Sequence, residues 1–168
     1  MRIYKNNIIL IGMPGAGKST IGKALAAKMQ YGFIDSDIII EEKCGKKISE
    51  ILFESGQEGF LEIENFINAT LNARNKVIAT GGSAIFGNEA MEHFTRIGDI
   101  IYLKLSFKEI TKRIDDLELR GVAFLEGETL EDIYAKREPL YEKYAQITVD
   151  CDGKSIKEIV KELREKLI

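Results

Sequence analysis

The segment Gly12-Met13-Pro14-Gly15-Ala16-Gly17-Lys18-Ser19 constrains this chain more than any other. It matches G-x-x-x-x-G-K-[ST] in full. It stands between an apolar run, Ile8-Ile9-Leu10-Ile11, and a stretch of helical periodicity that begins at Lys18. Glycines in such a loop let the backbone curl until several N–H groups converge on one phosphate, and the positive end of the following helix adds to the attraction. The motif assigns Lys18 to the β- and γ-phosphates of ATP and the Ser19 hydroxyl to Mg2+. The expected nucleotide-binding set is Gly12, Gly15, Ala16, Gly17, Lys18, Ser19 and Thr20. A turn that only joins a strand to a helix does not account for the Lys-Ser pair. A phosphate loop without catalysis remains an alternative.

Along the rest of the chain, short apolar runs alternate with longer amphipathic stretches. Strands are predicted at Ile8–Ile11, Gly32–Ile34 (ending at Asp35), Val77–Thr80, Ile100–Leu103 and Ile147–Val149. Helices are predicted over Lys18–Met29, Ile38–Cys44, Ser49–Glu54 with Ser49 as N-cap, Phe60–Ala73, Phe107–Leu117, Thr129–Ala145 with a kink at Pro139, and Ser155–Leu167. Continuous apolar strands that alternate with helices imply a parallel sheet covered on both faces. The expected fold is therefore a three-layer α/β/α sandwich in a single domain, residues 1–168. Such sheets bind ligands at the carboxyl ends of their strands, which directs attention to Gly12, Asp35, Gly81 and Asp150 onward.

Composition narrows the chemistry. With 168 residues, a net charge of -3 and no long apolar run, neither a nucleic-acid groove nor a membrane span is expected. The start shows no signal-peptide pattern, so the expected location is the cytoplasm. Two cysteines and one histidine, His93, leave little room for a zinc site or a histidine-based triad; His93 reads as a helix-surface residue. The guanine-reading string Asn-Lys-x-Asp is missing: the nearest match, Asn75-Lys76-Val77-Ile78, lacks the aspartate. Size and layout favour a small-molecule kinase.

The acceptor side is marked by Asp35-Ser36-Asp37 at the end of the second strand. Two carboxylates one residue apart can divide the work: one holds Mg2+ through water, the other accepts the proton of an attacking hydroxyl. Any of the three residues could equally cap a helix. Gly81-Gly82 follows the third strand and permits close approach of a ligand. Arg120 lies in a stretch of poor periodicity and is a candidate for a mobile arginine at the γ-phosphate. Arg137, on the next helix, is a candidate for gripping an acid or phosphate bidentately.

Taken in order, these strings resemble shikimate kinase: Gly12 to Thr20 with Ile21-Gly22, Phe33-Ile34-Asp35-Ser36-Asp37, Gly56-x-x-x-Phe60-x-x-x-Glu64, Gly81-Gly82, and Lys136-Arg137-x-Pro139-Leu140-Tyr141. The resemblance covers nearly the whole chain. It implies the nucleoside monophosphate kinase fold, with a five-stranded parallel sheet in order 2-3-1-4-5. It implies ATP-dependent phosphorylation of the 3-hydroxyl of shikimate, giving shikimate 3-phosphate in aromatic amino acid biosynthesis. Asp37 would bind the acceptor hydroxyls and act as base, Asp35 would contact the Mg2+ shell, and Gly81 and Gly82 would offer backbone contacts. Arg137 would grip the acceptor carboxylate and Arg120 would be the lid arginine. Arg113 and residues 150–154, Asp152 among them, would flank the adenine. A lid over about 114–128, with Gly121 and Gly127 as hinges, and a monomer complete what the resemblance implies. The chain departs from the family pattern at Leu61, where an arginine is usual, at Ser83, where a third glycine is usual, and at Arg120-Gly121-Val122 in the lid. Lys46, Lys47 and Arg74 are candidates to replace the arginine. These departures keep open a kinase of another small polyol or hydroxy acid, a nucleotide kinase, and a non-catalytic ATP-binding regulatory protein.

Overall fold

The computed structural model describes residues 6–114 and 127–167. Arg120 and most of the expected lid fall outside the described residues.

Strand β1 (Asn7–Ile11) lies at the centre because every one of its side chains is buried and it can pair on both edges. It runs parallel to β3 (Lys76–Ala79) and β4 (Gly98–Lys104), with Ile9 opposite Ile78 on one side and Ile100 on the other. β2 (Gly32–Asp35) adds outside β3, and β5 (Ile147–Asp150) outside β4. The order is β2-β3-β1-β4-β5, as expected. Asn7 sets the register at the lower edge. Its buried amide donates to the carbonyls of Ala73 and Ile97, and its Oδ1 accepts from the Lys76 N–H at 3.0 Å. One side chain thereby satisfies backbone groups at the entrances of both neighbouring strands.

The helices are α1 (Lys18–Met29), α2 (Ser36–Cys44), α3 (Ile48–Ala69), α4 (Asn88–Ile97), α5 (Phe107–Arg113), α6 (Leu130–Tyr144) and α7 (Ile156–Leu167). The main core joins both faces of the sheet to α1, α4, α6 and α7. A smaller cluster of Ile40, Ile51, Phe60 and Ile67 ties α2 to α3.

Several expectations need correction. Ser49–Glu54 and Phe60–Ala73 are arms of one element, α3, which bends at Gly56 and stops at Ala69. Ser49 is not the cap: Lys47 holds that position, and the free Ile48 N–H is met by the Glu41 side chain at 2.9 Å, which makes a local cap unnecessary. The third strand lies one residue earlier than predicted. Helix α4 was missed, because its apolar residues, Ala90, Met91 and Phe94, are few and surrounded by charge. His93 does lie on it, half-buried, with its Nε2 2.6 Å from the Leu71 carbonyl. Helix α6 runs through Pro139 without leaving helical geometry.

The bend at Gly56 matters for function, because it aims the second arm of α3, with Phe60 and Glu64, at the carboxyl ends of β1 and β3. Gly56 has φ 72° and ψ 178°, a region that essentially only glycine occupies, and a Cβ there would meet nothing within 4 Å. The cost of a side chain is therefore backbone strain alone. Gly56→Ala is expected to destabilise the protein by about 1–3 kcal/mol, a fall of several degrees in melting temperature. An unchanged melting curve in calorimetry would contradict this assignment.

Candidate active site

β1 delivers the phosphate loop. Gly12 cannot carry a side chain, since a Cβ would stand 2.8 Å from the Leu103 carbonyl oxygen of β4. The loop closes with Ala16 N–H on Met13 O and Ile21 N–H on Gly17 O. Lys18 folds back into this turn: its Nζ donates to Gly12 O at 2.6 Å and Met13 O at 2.9 Å. Burial lowers its pKa to about 8, and the negative charges of Asp37 and Asp35 oppose that fall. The ammonium is thus poised on two carbonyls that a phosphate oxygen can replace.

β2 delivers the carboxylates. Asp35 takes the capping role that this segment could equally have served, and it also touches the phosphate loop. Oδ1 caps α2 by accepting from the Asp37 and Ile38 N–H groups, while Oδ2 accepts from Ser19 Oγ at 2.9 Å. Ser19 and Asp35 offer only oxygen donors, one neutral and one anionic, beside the phosphate loop. That set suits Mg2+, which keeps several waters and takes further oxygens from phosphates. Among the described residues no cluster of three or more His, Cys, Asp or Glu could form a cage of protein ligands. Asp37 leaves the cap free and faces the cavity. Burial, then the Asp35 charge, raises its pKa to about 6, so it is largely ionised at neutral pH yet basic enough to take a proton.

β3 delivers the turn Gly81-Gly82-Ser83. A Cβ at Gly81 would stand 2.5 Å from Asp37 Oδ1, and one at Gly82 would stand 3.0 Å from Arg137 Nη1. This turn therefore lies hard against both the base and the cation. Arg137 on α6 is 2% exposed and its guanidinium lies 5.6 Å from the Phe86 ring centre. One turn further along α6, the Tyr141 hydroxyl donates to Gly82 O at 2.6 Å and clamps the turn.

These parts enclose one cavity of about 350 Å3, lined among others by Gly15, Lys18, Ser19, Asp37, Gly82 and Arg137. Gly17, Thr20, Asp35 and Gly81 line it as well; Gly12 and Ala16 are buried beneath the loop. Arg113, at the end of α5, passes close to Gly15, and Asp152 accepts from Ser106 N–H at the start of that helix; neither lines the cavity. Arg120 lies outside the described residues.

The acceptor-side departures now have places. Leu61 packs on the apolar cluster of α2 and α3 and is not part of the cavity wall. None of the three replacement candidates reaches the wall: Lys46 pairs with Glu54 on the surface, and Lys47 and Arg74 are exposed. Among the described residues, Lys18 and Arg137 supply the positive charge of the cavity. Ser83 donates to the buried Glu64 at 2.7 Å. Glu64, Tyr141 and the apolar wall of Ile48 and Phe60 received no role from the sequence. The spacing Phe60-x-x-x-Glu64 and Arg137-x-x-x-Tyr141 carried the signal, since residues four apart share a helix face.

Comparison with known proteins agrees with this geometry. The family model described as shikimate kinase matches residues 14–168. The shikimate kinase of Francisella tularensis subsp. novicida is 38% identical over 170 residues, covering 99% of this chain and 97% of the relative. The structure of shikimate kinase from Acinetobacter baumannii in complex with shikimate superposes with a TM-score of 0.87 at 30% identity, over 96% of this chain and 92% of that one. The shikimate kinase of Bacteroides thetaiotaomicron gives 0.78 at 32% identity, over 96% and 97%. Deoxyadenosine kinase of M. mycoides, at 17% identity and a TM-score of 0.61 over 96% and 97%, shares the fold alone. A phosphate loop, a paired carboxylate and a buried arginine around one cavity, on a sheet of this order and with relatives of this closeness, mean that the chain belongs to the shikimate kinase family.

Proposed function

We propose that the chain transfers the γ-phosphoryl group of ATP to the 3-hydroxyl of shikimate, using Lys18, Asp37 and Arg137 as its central groups. The observation that carries the assignment is that a phosphate-binding ammonium, a carboxylate with raised basicity and a buried guanidinium converge on one cavity. A hydroxylated acid needs all three.

The acceptor carboxylate binds Arg137, in a fork geometry that a lysine cannot reproduce. Gly81 and Gly82 let the sugar-like ring approach the backbone. The reacting hydroxyl lies against Asp37, which accepts its proton as the oxygen attacks the γ-phosphorus. The bond from the γ-phosphorus to the bridging oxygen breaks and ADP leaves. Lys18 and the loop N–H groups meet the charge on the phosphate oxygens, with the remaining loop residues Gly12, Gly15, Ala16, Gly17 and Thr20 shaping the cradle. Ser19 and Asp35 would hold Mg2+, which would supply charge neutralisation of the phosphates. Arg113 and Asp152 would border the adenine, and Arg120, in the expected lid over about 114–128 outside the described residues, is assigned to the γ-phosphate. A monomer acting in the cytoplasm, as one domain over 1–168, completes the proposal.

The first test is ADP release with Mg-ATP, with and without millimolar shikimate, with Lys18→Ala as the blank. Shikimate-dependent release is expected, and ATP binding with no response to shikimate would overturn the acceptor assignment. Arg137→Ala is expected to raise the KM for shikimate by about tenfold to a hundredfold, the loss of one charged hydrogen-bonding partner, with the KM for ATP little changed. An equal rise in both would place Arg137 elsewhere in the reaction.

Asp37→Asn separates chemistry from stability. Turnover should fall by about a hundredfold or more, the usual scale of a lost general base. Stability should move the other way. The folded pKa of Asp37 is raised from 3.8 to about 6, so the folded chain keeps a proton that the unfolded chain has released. The resulting cost is absent below pH 3.8 and complete above about 6. At pH 7.5 the ligand-free Asn variant should therefore melt a few degrees higher, about 1–2 kcal/mol. A lower melting temperature would show that Asp37 is held by contacts stronger than its burial cost.

A further inference from the structure

Glu64 lies behind the acceptor pocket and has no part in the steps above. It is 2% exposed. Its Oε1 accepts from Ser83 Oγ at 2.7 Å, whereas its Oε2, fully buried, has no hydrogen-bond partner among the described residues. An ionised oxygen so placed is costly unless a donor or a positive charge compensates it. Geometry shows where it points: the place a Cβ on Gly81 would occupy lies 3.0 Å from Glu64 Oε2 and 2.5 Å from Asp37 Oδ1. Two carboxyl groups from different helices thus converge behind one glycine of the acceptor turn. The ionisable groups acting on Glu64 are Asp37 of α2, Arg137 of α6 and Lys18 of α1.

We propose that Glu64 is a positioning residue of the acceptor pocket: through Ser83 it fixes the Gly81-Gly82-Ser83 turn, and its ionisation sets how much of the Arg137 charge is left for an anionic acceptor. The proposal rests on the assignment of this cavity to a hydroxylated acid. As the neutral acid, Glu64 holds Ser83 and adds no negative charge beside Arg137. Once ionised, it puts a second negative charge beside Asp37 and competes with the acceptor for Arg137. Burial raises its pKa to about 7; the Ser83 hydroxyl, Arg137 and Lys18 pull it down, and Asp37 pushes it up. Competition is therefore weak below that pH and grows above it. Leu61, one turn before Glu64 on α3, packs away from the cavity and adds no second cation to absorb the effect.

The test is the KM for shikimate from pH 6 to 9 at saturating Mg-ATP. The wild-type value should rise about tenfold across a midpoint near 7, with kcat changing much less. Glu64→Gln keeps the shape without the charge and should hold the KM within about twofold over the same range. Ser83→Ala removes a donor that favours the ionised form, so the midpoint should move to higher pH. A wild-type rise that persists in Glu64→Gln, or a midpoint unmoved in Ser83→Ala, would overturn the proposal. A further measurement does not depend on turnover. The guanidinium NMR signals of Arg137 in the ligand-free protein should titrate near pH 7 and lose that step in Glu64→Gln. Signals that ignore pH in the wild type would overturn the proposal even if shikimate proves not to be the acceptor. Titrating signals with no shikimate turnover would instead locate the failure in the acceptor assignment.

Discussion

The site is organised around a buried ammonium. Lys18 has lost most of its water and rests on two carbonyl oxygens of its own loop, which by themselves do not restore full hydration. That single desolvated charge explains the company it keeps: Asp35 and Asp37 on one side favour it, and an incoming phosphate would favour it more. The loop geometry around it depends in turn on β1 lying between β3 and β4, because only there can Gly12 press against the Leu103 carbonyl. Sheet centre, turn and charge are one constraint seen at three scales.

A second consequence is that the cavity is electrostatically crowded. Lys18 and Arg137 face Asp35 and Asp37 across a cavity of about 350 Å3, with Glu64 buried behind its wall. In low dielectric such groups cannot all hold their solution charges, so the pKa values of Asp37 and Glu64 rise and that of Lys18 falls. The raised Asp37 value is what a proton-accepting base requires, and a bound phosphate would push the Lys18 value back up by favouring its ammonium. The same crowding gives the two helix-borne residues their importance. Tyr141 of α6 and Glu64 of α3 hold the acceptor turn through Gly82 and Ser83, so the turn cannot relax away from the charges it separates.

Much of this was legible in the residue string. The phosphate loop, the Asp35-Ser36-Asp37 carboxylates, Gly81-Gly82 and Arg137 were marked by local patterns whose chemistry requires those residue types. The alternation of apolar and amphipathic stretches carried the parallel sheet, and the family resemblance carried its order. The errors arose where a local rule met a tertiary answer. Ser49 looked like a cap, but the distant Glu41 met the Ile48 N–H instead. The stretch from Ser49 to Ala73 looked like two helices because Gly56 breaks the periodicity, yet both arms follow one another through a bend. Helix α4 presents so short an apolar face that only its packing against α3 and β4 reveals it.

The sequence alone determined the type of chemistry, since a loop of that composition between strand and helix binds phosphate wherever it folds, and a carboxylate pair at a strand end can serve metal and base. It also determined the layered α/β class, through the period of its apolar residues. Tertiary structure alone decided which charges share a cavity. Arg137 stands more than a hundred positions from Lys18, and its burial over the acceptor turn follows from how α6 packs against β4. It likewise decided that Leu61 turns into an apolar cluster while Glu64, on the same helix, turns toward Asp37. The spacing Phe60-x-x-x-Glu64 shows which residues share a face, but the Gly56 bend and packing against α2 decide where that face is aimed.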